Sequence, residues 1–259
     1  MSVPSGMITW QKMLEDLSDR IERPRVKEGI KHLIASHKYE DAANEIYNRL
    51  GKRLFNELLE NRYRVLNPED IKGAVKIVPD LFNGMIITTN FDNVLEYLLR
   101  TEAEETSFAV IEGSNLKDIM EPDYITRSII KIHGDFKNPA NRILLKSEYE
   151  LNYSNRKFKR KLKKIFTDKS LLFLGCSLVS DRYMEIIKSI GRNDAARRHY
   201  ALMKLPAPIG DRQYYPMLDR EEKHLSKFNI FPIWIEDYQD MEAIFFTLLK
   251  LQAEDKLNS

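Results

Sequence analysis

The chain has 259 residues, 43% of them hydrophobic and 31% charged, with a formal net charge of +2 and a single cysteine. That length supports a sizeable core, and the composition is ordinary for a globular protein. Near-balanced charge gives no bulk demand for nucleic acid or a membrane surface, while one cysteine excludes a disulfide framework and a cysteine zinc site and fits a reducing cytoplasm.

No apolar run approaches the ~18–20 residues of a membrane helix, and Met1 to Trp10 lacks the basic and apolar regions of a signal peptide. Residues 9 to 78 read as helical. Trp10, Met13, Leu14, Leu17 and Ile21 follow helical spacing, as do Ile30, Leu33 and Ile34, and then Ile46, Leu50, Leu54, Leu58 and Leu59. Breaks fall at Pro24, Gly51 and Asn67-Pro68. This stretch, residues 1–80, is expected to form a helical layer packed on a sheet built by the rest of the chain.

From Met85 the texture changes. Strands are expected near 85–89, 107–111, 128–133, 171–175, 199–203 and 229–235. Helices are expected near 92–101, 114–120, 146–153, 155–167, 181–190, 212–227 and 239–252, with loops at 152–155 and 206–210. Such alternation predicts an α/β fold with a parallel sheet covered on both faces over residues 81–255, the whole forming one compact unit. Within it, residues 156–164 carry seven cations above an apolar stripe of Phe158, Leu162, Ile165 and Phe166. A solvated helix face explains this run; an electrostatic surface for phosphates or an acidic partner is the alternative.

Three strand ends carry polar residues. Met85-Ile86-Ile87 runs into Thr88-Thr89-Asn90-Phe91-Asp92, Ile129-Ile130-Lys131-Ile132 into His133-Gly134-Asp135, and Leu171-Leu172-Phe173-Leu174 into Gly175-Cys176-Ser177. Open parallel sheets hold ligands at such ends. Each cluster also has a plainer explanation. Asn90, Asp92 and Asn93 are good N-caps, and Asn93 with Glu96 fits a capping box. His133 fits a satisfied core residue or a general base. The other histidines, at 32, 37, 199 and 224, lack metal-ligand spacing. Gly175 would let a ligand approach the backbone and Ser177 would offer a hydroxyl at a helix start, with Asp181 just beyond. Cys176 reads as a small buried residue.

Taken together, Thr88 to Asp92, Lys131 to Asp135 and Leu174 to Ser177, in this order, resemble the sirtuin-like NAD hydrolases of bacterial anti-phage defence. Ile143 to Tyr149, His199 to Leu202 and Phe231 to Trp234 resemble further parts of that family, so the resemblance covers residues 84–250. It implies a Rossmann-like sheet of about six strands, with NAD as substrate across the strand ends and no metal. Asn90 would position the attacking water, Asp92 would hold the nicotinamide-ribose pocket and His133 would act as base. Thr89, Phe91, Gly134, Gly175, Cys176, Ser177 and Asp181 would contact the cofactor, Gly175 and Ser177 on its adenosine side. Lysine-deacylating sirtuins carry a four-cysteine zinc ribbon, which one cysteine cannot build, so NAD cleavage is expected. The resemblance also implies a cytoplasmic place, with a homo-oligomer or a separately encoded sensor or ATPase as partner, no membrane and no direct nucleic acid. The rival readings are a non-catalytic NAD or ADP-ribose binder, an interaction subunit, and a nucleic-acid protein using the 156–164 helix.

The family begins with an apolar strand and a glycine-rich turn, and neither is present here. Pro4 to Trp10 resembles the segment just after that turn, and the chain has only ten glycines. The expectation is that Met1 is a misplaced start or the chain a fragment, with about 15–40 further residues upstream. The strand in question is central in the order 3-2-1-4-5-6, so its loss would leave two open sheet edges and remove the phosphate-cradling loop.

Overall fold

A computed structural model describes residues 2–64, 67–82, 84–102, 108–118, 128–176, 178, 182–190, 197–206 and 212–254. It divides into two compact units, Ser2–Asn155 and Arg156–Ser259.

The first unit opens with four helices, α1 (Trp10–Ser18), α2 (Pro24–Ala35), α3 (Tyr39–Leu50) and α4 (Lys52–Tyr63). Their boundaries have local causes. Thr9 caps α1 by accepting from the Lys12 amide at 3.2 Å. Pro24 occupies the first turn of α2, where its missing N–H costs nothing. Gly51, at φ 75°, separates α3 from α4. The apolar faces bury Met13, Leu14, Leu17, Ile30, Ile34, Ala42, Ala43, Ile46, Phe55 and Leu59 in one core. That core also takes in Phe91, Phe136, Leu144 and Leu145 from the loops beyond the strands, so the helices roof the strand ends.

After a short helix α5 (Val78–Leu81) come β1 (Met85–Thr88), α6 (Val94–Glu102), β2 (Ala109–Glu112), β3 (Ser128–Lys131) and α7 (Lys146–Ser154). The strands form a parallel sheet of order β1-β3-β2. The first two strands are therefore not neighbours, unlike in the order 3-2-1-4-5-6; β3 lies between them, with Thr88 and Glu112 both opposite Lys131. Two local expectations change. Residues 113–118 form a 3-10 turn in place of a helix, as Gly113, Ser114 and Asn115 are poor helix formers. The expected loop at 152–155 shrinks to Asn155, because α7 continues to Ser154. Asn152 supports that last turn by donating to the Glu148 carbonyl at 2.9 Å.

The second unit contains α8 (Arg156–Asp168), β4 (Leu172–Leu174), α9 (Arg182–Ile190), β5 (His199–Lys204), α10 (Tyr215–Ser226), β6 (Ile230–Ile235) and α11 (Asp240–Ala253). Its parallel sheet has the order β4-β5-β6. Six parallel strands are thus present among the described residues, three in each unit, with β1 and β4 as edge strands. On α8 the stripe of Phe158, Leu162, Ile165 and Phe166 is buried, Lys161 is buried with it, and the remaining cations face outward. The loop expected at 206–210 lies outside the described residues beyond Pro206.

Candidate active site

Placing β3 beside β1 brings two of the three polar strand ends together. Past β1 the chain turns through Thr89 to Asn93 before α6. The Asn90 amide donates to Thr88 Oγ1 at 3.1 Å. Its side chain is exposed, and Nδ2 donates to Ser2 Oγ at 3.1 Å. Asp92 is buried, and its Oδ1 accepts from the Val94 N–H at 3.1 Å. The capping reading therefore holds for Asp92, which satisfies an open donor in the first turn of α6. Burial pushes the Asp92 carboxyl above its ordinary pKa, against the Val94 N–H and the Lys131 charge, which act the other way. Phe91 points into the core. It stacks on Trp10 at 5.7 Å between ring centroids and leans on Tyr63 at 5.8 Å.

Behind this turn lies a fully buried lysine. Lys131 Nζ donates to the Asp92 carbonyl at 2.6 Å, to Glu96 Oε1 at 2.7 Å and to Asp135 Oδ2 at 2.6 Å, with the Phe91 carbonyl at 3.4 Å. Burial works against its charge, but Glu96 and Asp135 outweigh that and raise its pKa. Sequence alone gives Lys131 no role of its own and Glu96 only a place in a capping box. The available signal is a charge inside the apolar run Ile129-Ile130-Lys131-Ile132, since a lysine in a buried parallel strand demands partners.

His133 comes two residues later. It is 5% exposed, and its Nε2 and Nδ1 lie 3.2 Å from the Tyr153 hydroxyl and 3.3 Å from the Tyr149 hydroxyl. These tyrosines stand four residues apart on α7, a spacing that puts both on one face. That spacing is the signal that could have found them. Burial lowers the His133 pKa to about 4, against a hydrogen bond with the Thr89 backbone, so the imidazole is neutral near pH 7. Gly134 is required here. Its φ is 76°, and a Cβ would lie 2.4 Å from the Asn141 carbonyl oxygen and 2.8 Å from Arg142 Cα. Glu112, at the end of β2, holds the same loop by accepting from Asn138 Nδ2 at 3.3 Å and Asn141 Nδ2 at 3.1 Å.

The adjoining ends of β1 and β3 thus lead into an exposed side-chain amide, a buried carboxyl and a neutral imidazole. Such a set can orient a water and accept a proton from it. Among the described residues there is no group of three or more His, Cys, Asp or Glu placed to hold a metal.

The third strand end belongs to the second unit. Gly175 has φ 61°. Cys176 is exposed, which corrects the expectation of a buried residue. With β4 ending at Leu174, Cys176 lies beyond the sheet, where its Sγ reaches back to the Leu174 carbonyl at 3.4 Å. Ser177 and Asp181 lie outside the described residues.

A family model described as SIR2-like domain matches residues 84–233. The chain is 26% identical to the NAD(+) hydrolase ThsA of Cytobacillus dafuensis, an alignment covering 99% of this chain and 52% of that protein. It is also 26% identical to the NAD(+) hydrolase ThsA of Bacillus cereus (strain MSX-D12), over 94% of this chain and 51% of that protein. For the NAD(+) hydrolase ThsA of Acinetobacter baumannii (strain 532279) the identity is 26%, over 96% and 51%. The chain spans about half the length of the curated relatives it matches.

Proposed function

We propose that this chain, which belongs to the SIR2-like domain family, is an NAD+ hydrolase that releases nicotinamide and ADP-ribose. The observation that carries this reading is the pairing of β1 with β3, whose adjoining ends lead into Asn90 and Asp92 on one side and a neutral His133 on the other. Relatives that align with nearly the whole chain bear the name NAD(+) hydrolase, which supports the same substrate here.

NAD+ carries positive charge on its nicotinamide ring. As the bond from ribose C1′ to the ring nitrogen breaks, the electron pair goes to nitrogen and nicotinamide leaves neutral, so no general acid is needed. Positive charge develops on the ribose, as in other glycosidic cleavages, and negative charge on Asp92, when ionised, favours it. Asn90 orients the water that attacks C1′, and His133 takes the proton that this water loses. NAD+ and water become nicotinamide, ADP-ribose and one proton.

The test is nicotinamide release by purified variants. Asn90→Ala and His133→Ala should each lower the rate by about 100-fold or more; an unchanged rate in either rejects the role given to that residue. A second reading, binding without turnover, is favoured by the hydroxyl partners already present on both nitrogens of His133. Stabilisation by NAD against heat with no nicotinamide released would select it. The biological setting we propose is NAD depletion in bacterial defence, in the cytoplasm, within a homo-oligomer or under a separately encoded sensor or ATPase. The family resemblance supports that setting.

A further inference from the structure

We infer that Lys131 is a positioning residue that fixes the Asn90–Asp92 turn from behind, an inference that rests on the proposed function of that turn. An ammonium group has three N–H donors. Lys131 spends them on three separate segments: the Asp92 carbonyl of the turn after β1, Glu96 on α6, and Asp135 in the loop after His133 and Gly134. All three bonds are 2.6–2.7 Å long, the range of charge-assisted bonds. The Phe91 carbonyl, at 3.4 Å, brings the other peptide of the turn under the same charge.

The position in the sheet makes this possible. Lys131 is the last residue of the central strand, opposite Thr88, so its side chain starts level with the end of β1. The Asn90 side chain is exposed and bonds Ser2, whereas the peptides after it are held by Lys131. A buried ionic cluster is weak evidence for stability, because well-packed apolar residues often do as well. Its distinctive product is geometry, here the direction in which Asn90 is presented and the seat of Asp92.

The full chain carrying Lys131→Met with Glu96→Gln and Asp135→Asn removes the lysine without leaving its two ion-pair partners as unpaired buried carboxylates. Amide hydrogen exchange is read first. Residues 90–94 should exchange at least about tenfold faster while β3 and α1–α4 keep their protection. Turnover is read second. The kcat for nicotinamide release should fall roughly 100-fold with KM within about 3-fold, the pattern of a misplaced reacting group. The single variant Glu96→Gln keeps the lysine, its Asp135 partner and its carbonyl bonds, so residues 90–94 should stay slow. Unchanged exchange in the triple variant overturns the inference. So does equal loosening in the single variant, which would assign the hold to Glu96, or loss of protection throughout Ser2–Asn155, which would make Lys131 a determinant of the fold. A wild-type chain that releases no nicotinamide would refute the proposed function alone, since the exchange readout decides the role of Lys131 without it.

Discussion

Burial keeps the His133 imidazole neutral until about pH 4, whereas an unfolded histidine titrates near 6.5. Between those values the unfolded chain binds a proton that the folded chain refuses. The stability tied to this residue is therefore complete above 6.5 and is lost as pH falls toward 4. Lowering the pH from 7 to 5 should cost about 2 kcal/mol through His133 alone. His133→Gln should lack that share, read as the change in unfolding free energy between the two pH values; an identical pH dependence in both proteins would contradict a buried neutral imidazole. The sequence makes His133 legible as a polar residue ending an apolar strand. Its environment is not legible there, because Tyr149 and Tyr153 reach it only through packing of α7. Lys131 shows the same limit. A charge among isoleucines calls for partners, but only the β1-β3 pairing reveals that one of them is the Asp92 carbonyl.

Elements are easier to read than their neighbours. Hydrophobic period and turn residues locate the helices and strands within a few residues, because these are local properties. Pairing order is not local, so β3 between β1 and β2 cannot be read from either strand. The loop after β3 depends on a close approach that only glycine permits. Gly134→Ala should destabilise the protein by about 2 kcal/mol or more, through its left-handed backbone and the contact with the Asn141 carbonyl. Gly29→Ala, inside α2 with nothing within 4 Å of the added carbon, should instead stabilise it by about 0.5–1 kcal/mol. Urea unfolding midpoints distinguish the two, and equal shifts would contradict the strain assigned to Gly134. On α8 the apolar stripe, not the cations, should carry the stability. Leu162→Ala should cost about 2–5 kcal/mol and Arg160→Ala less than about 0.5 kcal/mol, measured the same way.

At the scale of the whole molecule, two units each hold a three-stranded parallel sheet, and Asn90, Asp92 and His133, the residues of the proposed site, all belong to the first. Composition excludes a disulfide scaffold but does not point to a substrate. The order of three short motifs carries a family resemblance, and the match to a SIR2-like domain over residues 84–233 falls on that same stretch. The helical layer before it covers the ends of β1 and β3, because Phe91 and Phe136 join its core. Such a roof is not written in the spacing of Leu and Ile, which gives a face but not what the face covers. The most direct test is to incubate the purified chain with NAD+ and follow NAD+, nicotinamide and ADP-ribose together over time. Equimolar release of nicotinamide and ADP-ribose, abolished by Asn90→Ala at an unchanged melting temperature, is the expected result; intact NAD+ in the presence of folded wild-type protein that it stabilises against heat would contradict it.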